Sequence, residues 1–387
     1  MTWSREYYSA KKKLKSERTM NNDVTKSRRL IRACIVGCGK IADAHASAIR
    51  LVPKSEIVGV CDTEELMARQ LAERYKVRQY FNDILRMLDV ARPDVVHITT
   101  PPQSHFEIGT LCLNAGCHVY IEKPITINAS EATQLIDLSI KSGLKVTVGT
   151  DEQFSHIACA TRKLVKDGYL GGPPVHMEAY YCYDLGDERY ARVFLKDNTH
   201  WLRRLPGQLM HNIISHGIAK VAEYLPGDQV EVIAHGFTSD FLKALGENDL
   251  VDELRVILRA ENKTTAYFTF STQMKPLLRE IRIFGPKNGL ICDQSHHALI
   301  KLSGASQKSY MEKFIPLNDF ARQYRKSMLY NAKLFFKNDF HMKAGLIRLI
   351  DEFYSSIAND TPPPISYREI LLTTRIMDMI FTQISRR

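Results

Sequence analysis

Lys123 follows a short apolar stretch and lies in the sequence Glu122-Lys123-Pro124. Residues 118–121 predict a strand buried in a sheet, so that Glu122 and Lys123 come at its carboxyl end. Open α/β sheets bind ligands and place reactive groups at that edge. An ammonium group there can stabilise the negative charge that develops on a reacting oxygen. We interpret Lys123 as a catalytic residue; the alternative is a surface lysine paired with Glu122.

A glycine-rich turn lies upstream and reads Gly37-Cys38-Gly39-Lys40-Ile41-Ala42. The first glycine permits a tight turn, the second lets the backbone approach a pyrophosphate, and the start of the next helix favours negative charge. Asp62 follows the second predicted strand, close to the ~20-residue spacing of a carboxylate that binds ribose hydroxyls. Its alternative role is a helix N-cap. Because no arginine directly follows Asp62, we expect NAD as the cofactor, with NADP possible.

Five short apolar runs alternate with helical patterns in the first part of the chain. They cover residues 31–36, 56–61, 94–99, 118–121 and 145–148. Successive apolar positions predict strands buried on both faces, and the helices between them supply the crossovers of a parallel sheet. We therefore predict an α/β fold in which residues 31–150 form a doubly wound Rossmann domain that binds a dinucleotide.

The pattern changes after Thr150, where longer strand-like runs follow one another closely. These runs favour a second, α+β domain with an open, mostly antiparallel sheet, over residues 151–387. Two helical segments separated by Pro362-Pro363-Pro364 end the chain, and we expect them to pack back on the protein. We predict that this second domain carries the substrate and subunit contacts.

Composition and charge exclude several classes of function. The hydrophobic fraction of 44% and the charged fraction of 25% are those of an ordinary globular protein, and no apolar run is long enough to cross a bilayer. The net charge is +10, but residues 1–32 hold ten Lys and Arg against three acids. We interpret residues 1–30 as a basic, disordered tail and expect no nucleic-acid partner; an acidic or membrane-surface partner for the tail is the alternative.

The cysteines and histidines do not form a metal-binding pattern. The eight cysteines include no Cys-x-x-Cys pair, so we expect reduced thiols, a cytoplasmic protein and no metal.

A basic loop over residues 184–204 could bind a phosphate or carboxylate of the substrate. The alternative is a solvated loop. Its basic and aromatic residues are Arg189, Arg192, Lys196, His200, Trp201, Arg203 and Arg204.

These motifs together resemble the Gfo/Idh/MocA family, named after glucose-fructose oxidoreductase, inositol dehydrogenase and a rhizopine catabolism protein. The resemblance rests on Gly37-x-Gly39-x-x-Ala42, Asp62, Thr100-Pro101-x-x-x-His105 and Glu122-Lys123-Pro124, and it covers roughly residues 31–387. It implies a nicotinamide-dependent oxidoreductase that acts on a hydroxyl of a sugar, cyclitol or nucleotide-sugar. It also implies that Lys123 contacts that hydroxyl and that the Lys123–Pro124 bond is cis. We expect the cofactor to contact Gly37, Cys38, Gly39, Lys40, Ile41, Asp62, Thr100, Pro101, His105 and Glu122.

The resemblance also implies a helical histidine preceded four positions earlier by an aspartate. His216 matches the histidine, but Asn212 occupies the position of the aspartate. An amide can orient an imidazole but cannot neutralise an imidazolium. We predict Lys123, His216 and Asn212 as catalytic residues, and Arg203, Trp201 and His211 as substrate-binding residues. Because His211 lies on another helix face than Asn212 and His216, it is the less favoured alternative for the base.

Two other functions remain open at this stage. Some relatives are glycosidases that use bound NAD catalytically, and the missing aspartate also permits a noncatalytic nucleotide-binding regulator. Residues 320, 324, 328, 332 and 336 are apolar at a helical spacing. This stripe is typical of a core or subunit contact rather than a membrane-surface helix, and with the resemblance it predicts a homo-oligomer.

Overall fold

The computed structural model describes residues 29–185, 195, 197, 199–304, 308–337, 339–340 and 343–384. Most of the predicted tail, and Arg189, Arg192 and Lys196 of the basic loop, lie outside the described residues. The first sheet has six parallel strands in the order β3-β2-β1-β4-β5-β6. Its strands are β1 (Ile31–Val36), β2 (Ser55–Cys61), β3 (Tyr80–Phe81), β4 (Val95–Ile98), β5 (His118–Ile121) and β6 (Val146–Val148).

This strand order confirms the predicted doubly wound sheet. Five strands match the predicted runs to within a residue or so, and the sequence pattern missed only the two-residue β3. The helices that connect the strands are α1 (Lys40–Ile49), α2 (Glu65–Tyr75), α3 (Ile84–Ala91), α4 (His105–Asn114) and α5 (Ala129–Ser142). Two of these helices have a side-chain N-cap. Asp83 accepts a hydrogen bond from the Arg86 N–H at the start of α3, and Asn128 accepts one from the Glu131 N–H at the start of α5.

The second sheet is mixed and has seven strands in the order β13-β12-β11-β7-β10-β9-β8. Strands β7 and β10 pair in parallel, and every other pairing is antiparallel. This confirms the mostly antiparallel second sheet. The strands are β7 (His176–Cys182), β8 (Val230–Phe237), β9 (Glu253–Ala260), β10 (Thr265–Ser271), β11 (Arg279–Phe284), β12 (Asn288–Asp293) and β13 (Ala298–Ser303).

One face of the second sheet is covered by a helix and the other is open. Gly217 allows the covering helix to approach closely, since a Cβ there would lie 2.4 Å from the ring of Phe268 on β10. On the open face, Ile233, Ile257 and Tyr267 are exposed. The helices of this part of the chain are α6 (His156–Lys166), α7 (Gln208–Tyr224), α8 (Asp240–Ala244), α9 (Ile315–Phe336), α10 (Ala344–Ala358) and α11 (Tyr367–Ile384); α7 is the covering helix.

The last two helices divide between two hydrophobic cores. Leu349, Phe353 and Tyr354 of α10 are buried in the core of the first sheet. Ile376 and Phe381 of α11 are buried in the core of the second. The C-terminal segment therefore packs against both layers. The apolar stripe on α9 is largely solvent-exposed in this single chain, with Met328 60% and Phe336 85% exposed.

Two further features concern cysteines and membranes. All eight cysteines are free thiols, and seven of them are buried, as expected for small apolar side chains in a core. Among the residues that the structure describes, no helix combines the length and the apolar character that a bilayer crossing requires.

Candidate active site

Lys123 lies just beyond β5, at the carboxyl edge of the first sheet. Its ammonium group donates hydrogen bonds to the backbone carbonyl and the side-chain Oδ1 of Asn212, at 3.2 and 3.1 Å. Asn212 is on α7, so this contact joins the first sheet to the helix that covers the second. The bond between Lys123 and Pro124 is cis, as the resemblance implied.

The charge state of Lys123 reflects its partly buried position. Burial lowers the pKa of the lysine, and the negative charges of Glu122 and Asp151 act in the opposite direction. An ammonium group has three N–H donors. Two of them reach Asn212, and the third has no acceptor among the described residues. That donor can serve a hydroxyl or carbonyl oxygen of a ligand.

Glu122 ends a buried chain of hydrogen bonds inside the first sheet. Its Oε1 lies 2.8 Å from Nε2 of His45, whose Nδ1 lies 2.9 Å from Nδ1 of His97. Nε2 of His97 lies 2.7 Å from the hydroxyl of Tyr354 on α10. Burial alone raises the pKa of Glu122, but the hydrogen bond and charge of His45 lower it overall. Gly149 packs closely on this carboxylate. A Cβ atom at position 149 would lie 2.6 Å from Oε1 of Glu122.

His216 lies one helical turn after Asn212 on α7, on the same face. Its ring stacks on that of Tyr181, with 5.9 Å between centroids. Burial lowers the pKa of His216 to about 4, and the charges of Lys123 and Lys220 act in the same direction. Its Nδ1 is buried without a hydrogen-bond partner among the described residues. The amide of Asn212 faces Lys123 rather than this ring, which differs from the orienting role that the sequence suggested.

Sequence reasoning missed two acids at the end of β6, Asp151 and Glu152. They lie just after β6, as Glu122 and Lys123 lie just after β5. This position at the carboxyl edge of the sheet could have identified them as candidate site residues. Burial raises the pKa of Asp151 to about 7, and the charges of Glu122 and Glu152 raise it further. Glu152 instead accepts hydrogen bonds from Lys220 at 2.5 Å and from the hydroxyl of Tyr181 at 2.8 Å. Burial raises the pKa of Glu152, but Lys220 lowers it overall.

The glycine-rich turn has the shape that a dinucleotide requires. Gly37 has φ +93°, and a Cβ there would lie 2.7 Å from the backbone nitrogen of Thr100. At Gly39 a Cβ would have no heavy atom within 4 Å, so open space lies beside the N-terminus of α1. The helix has no side-chain cap at this end, and its free N–H groups suit a phosphate. Lys40 and Ile41 are exposed there.

Asp62 lies beside this turn, at the end of β2. Its carboxylate accepts hydrogen bonds from the N–H groups of Cys38, at 2.6 Å, and Glu64, at 2.9 Å. The side chain therefore fixes both the turn and the start of the next segment, and its oxygens keep further lone pairs for ribose hydroxyls. These residues fit a bound NAD.

His105 supports the neighbouring loop from beneath. Its two ring nitrogens lie 2.9 Å from the carbonyl of Pro124 and 2.8 Å from that of Thr100. The ring is fully buried, so it does not line the cofactor site directly, contrary to the sequence-based expectation. Burial lowers its pKa, and the two carbonyl contacts partly oppose this. His105 instead links the loop at Thr100-Pro101 to the segment after Lys123.

The three predicted substrate-binding residues each contact a different part of the protein. Arg203 forms a salt bridge with Glu247 through two hydrogen bonds, at 2.6 and 3.1 Å, so its charge is already neutralised. His211 is buried and stacks on Phe381 of α11, 4.7 Å between centroids. Its ring therefore packs against the core of the second sheet. Trp201 accepts a hydrogen bond through its carbonyl from Gln103, at 3.0 Å, in the loop after β4.

No three His, Cys, Asp or Glu side chains of the described part of the chain are grouped as a metal ion would require. The site offers charged and hydrogen-bonding groups: an ammonium at Lys123, a carboxyl whose pKa is about 7 at Asp151 and a neutral imidazole at His216. These groups can bind a polar oxygen and take up its proton.

Comparisons with known proteins agree with this arrangement. Residues 31–150 match the model of the oxidoreductase family with an NAD-binding Rossmann fold. The D-glucoside 3-dehydrogenase of Escherichia coli (strain K12) is 34% identical over 142 residues, which are 36% of this chain and only 40% of that protein. The myo-inositol 2-dehydrogenase of Thermotoga maritima is 21% identical over 312 residues, which are 80% of this chain and 88% of that protein.

Solved structures share the fold over both sheets. The WlbA dehydrogenase from Bordetella pertussis, in complex with NADH and UDP-GlcNAcA, has a TM-score of 0.73 at 18% identity, over 92% of this chain and 96% of that one. An NAD binding oxidoreductase from Klebsiella pneumoniae has a TM-score of 0.74 at 19% identity, over 93% and 98% of the two chains. Residues 31–150 are therefore similar to the NAD-binding Rossmann domain of the Gfo/Idh/MocA family of oxidoreductases, and the chain shares the fold of these solved structures over both sheets.

Proposed function

We propose that this protein is an NAD-dependent oxidoreductase that acts on a hydroxyl or keto carbon of a sugar, cyclitol or nucleotide-sugar. The observation that carries the proposal is the free N–H donor of Lys123, at the same sheet edge as the glycine-rich turn. The dehydrogenases of glucosides and inositol to which the chain is similar support the substrate class.

The residues at this edge have distinct tasks in such a reaction. Bound NAD would supply the nicotinamide that exchanges a hydride with the substrate carbon. Lys123 donates a hydrogen bond to the reacting oxygen and stabilises its negative charge as the O–H proton leaves. Asp151, whose pKa of about 7 allows both charge states near neutrality, accepts that proton. His216 stays neutral and keeps its ring stacked on Tyr181 beside these groups.

Charge at the end of β2 favours NAD over NADP. Asp62, Glu64 and Glu65 follow one another there, and the latter two are exposed. A 2′-phosphate at this position would meet like charge. We expect binding of NAD to be at least ~10-fold tighter than binding of NADP, a difference of about 1.4 kcal/mol.

Replacing Lys123 tests the proposal. A panel of free and nucleotide-linked sugars is followed by nicotinamide absorbance, with the Lys123→Met variant compared to Lys141→Met, an exposed lysine on α5. We expect Lys123→Met to lower kcat/KM by roughly 10²- to 10⁴-fold with NAD affinity by calorimetry unchanged, and Lys141→Met to behave as wild type.

Three other results of this panel would contradict the role of Lys123 or favour an alternative function. Unchanged turnover in Lys123→Met removes this residue from the mechanism. Sugar release without net change in nicotinamide absorbance indicates the glycosidase alternative. NAD binding without turnover of any sugar favours the noncatalytic alternative.

A further inference from the structure

A cleft of about 340 Å³ opens beside the catalytic edge, between the end of β6 and the second sheet. Asp151 and Glu152 line it on the side of the first sheet. Arg279, at the start of β11, and Gln294, after β12, line it from the other. The cleft thus runs from Asp151, the proposed proton acceptor, to the guanidinium group of Arg279. Its volume is at the lower end of the ~300–1,000 Å³ of small-molecule sites.

Most charged side chains around the cleft already have partners. Glu152 is paired with Lys220 at 2.5 Å, and His296 with Asp293 at 2.8 Å. Asp339 lies 3.3 Å from Nε2 of His156. Of the three acids that line the cleft, Glu152 and Asp339 therefore have partners of their own, and Asp151 is the third.

Arg279 differs from these residues. Its guanidinium lies over the ring of Tyr181, 5.1 Å from the centroid, and no carboxylate or carbonyl of the described residues accepts a hydrogen bond from it. Its backbone is fixed, because its N–H donates to Oγ of Ser295 at 3.0 Å and its carbonyl accepts from the Gln294 N–H at 2.8 Å. A guanidinium that is held in place, half-buried and without an acceptor suits an anionic group with two oxygens.

Tyr181 connects this guanidinium to the catalytic residues. The ring of His216 stacks on Tyr181, and the hydroxyl of Tyr181 donates to Glu152. An anion bound at Arg279 would therefore be one side chain away from His216. A ligand that spans the cleft can place one end at Arg279 and the other at Asp151, whose charge acts on the ammonium group of Lys123.

We propose that the substrate is an acidic monosaccharide whose carboxylate binds Arg279 while one of its hydroxyls reacts at Lys123. This inference rests on the proposed function. A single guanidinium matches the single charge of a carboxylate, and the small cleft favours one sugar over a sugar joined to a nucleoside diphosphate. In this proposal Arg279, and not Arg203, is the anion-binding residue, because Glu247 neutralises Arg203.

Paired substrates test the proposal. D-Glucuronate, D-galacturonate and D-gluconate are each compared with the neutral parent hexose, and D-glucose 6-phosphate is included as a phosphate-bearing ligand. Turnover is followed by nicotinamide absorbance in wild type, Arg279→Gln and Arg279→Lys. The matched control is Arg282→Gln, on the same strand, whose guanidinium is paired with Glu280.

We expect at least one acid to exceed its neutral parent by about tenfold or more in kcat/KM, mainly through KM. Arg279→Gln should remove this preference by lowering kcat/KM for the acid to that of its neutral parent. Arg279→Lys should restore part of it, because it keeps the charge without the planar pair of donors. Arg282→Gln should retain the preference.

The outcomes separate this inference from the proposed function. Turnover of neutral sugars with no preference for acids, or a preference that survives in Arg279→Gln, overturns the inference and leaves the oxidoreductase intact. A stronger preference for the sugar phosphate, lost in Arg279→Gln, overturns the carboxylate assignment. If no sugar is turned over, calorimetry of the three acids with the NAD-loaded protein decides: absence of binding overturns the inference, and binding that Arg279→Gln abolishes supports it.

Discussion

Lys123 and Asn212 form the contact that joins the two layers of the protein at the site. The ammonium group reaches both the carbonyl and the amide oxygen of this one residue, at 3.2 and 3.1 Å. A carboxylate at position 212 would hold the lysine as an ion pair, whereas the amide holds it without neutralising its charge. The positive charge of Lys123 is thus left for the substrate.

Substitution of Asn212 should therefore act on Lys123 rather than on His216. We expect Asn212→Leu to lower kcat about 10-fold with little change in NAD affinity, because the ammonium loses one of its acceptors. Asn212→Asp keeps the hydrogen bond and adds a charge that raises the pKa of Lys123. In that variant the alkaline limb of the pH–rate profile should move to higher pH. Equal pH profiles in wild type and Asn212→Asp would contradict this role.

The two glycines of the turn should respond differently to alanine. At Gly37 a Cβ would lie 2.7 Å from the Thr100 nitrogen at a positive φ, so we expect Gly37→Ala to lower the stability by about 1–3 kcal/mol. At Gly39 the added methyl meets open space, so the melting temperature should not change. It would still occupy the space for a pyrophosphate, and NAD affinity should fall about 10-fold or more. Calorimetry and thermal unfolding distinguish the two; equal NAD affinity in Gly39→Ala and wild type would place the cofactor elsewhere.

The pH dependence of turnover should report Asp151. Its pKa of about 7 means that the carboxylate, the form that accepts a proton, is lost as the pH falls below that value. We expect kcat/KM for alcohol oxidation to decrease below about pH 7, and Asp151→Asn to be slow and free of this limb. His216→Asn is the comparison, since the pKa of that imidazole is about 4. If His216→Asn removes the limb and Asp151→Asn keeps it, the histidine is the base.

His211 should affect stability in acid and not substrate affinity. Burial holds its pKa at about 4, below the ~6.5 of an unfolded histidine. The unfolded state therefore takes up a proton as the pH falls through 6.5 while the folded state does not, so stability is lost between about pH 6.5 and 4. We expect His211→Leu to reduce this loss by about 2 kcal/mol at pH 5, measured by urea unfolding.

The exposed His235 supplies the control for that experiment. His235→Leu should leave the acid-induced loss of stability as it is in wild type, and both variants should retain the substrate KM. A raised KM in His211→Leu alone would return this residue to the substrate site.

The parallel sheet was predictable because its strands are buried on both faces and read as uninterrupted apolar runs. The same reasoning located Gly37, Gly39, Asp62 and Lys123, since all of them end or follow a strand of that sheet. Strand β3 has only two residues, too few for any pattern. The residues expected at the cofactor edge were therefore the ones whose place in the fold was predicted best.

The substrate side was harder to predict because it is assembled from distant segments. Arg203 looked like an anion-binding residue, but its partner Glu247 is 44 positions away and no local pattern announces it. His211 and His216 lie on one helix, and only the packing of Phe381 from α11 shows which of them is buried in a core. Asp151 and Arg279 come together across two sheets. Charge and spacing along the chain could not pair such residues.

The hydrogen-bond chain from Glu122 to Tyr354 has a consequence for biosynthesis. The core beneath the catalytic edge takes Phe353 and Tyr354 from a helix that leaves the ribosome more than 200 residues after the strands it covers. A nascent chain that has emerged only as far as residue 150 therefore exposes the apolar surface that α10 later hides. The nucleotide-binding part cannot be excised at that point as a finished module, because its core lacks Phe353 and Tyr354 until α10 has been translated.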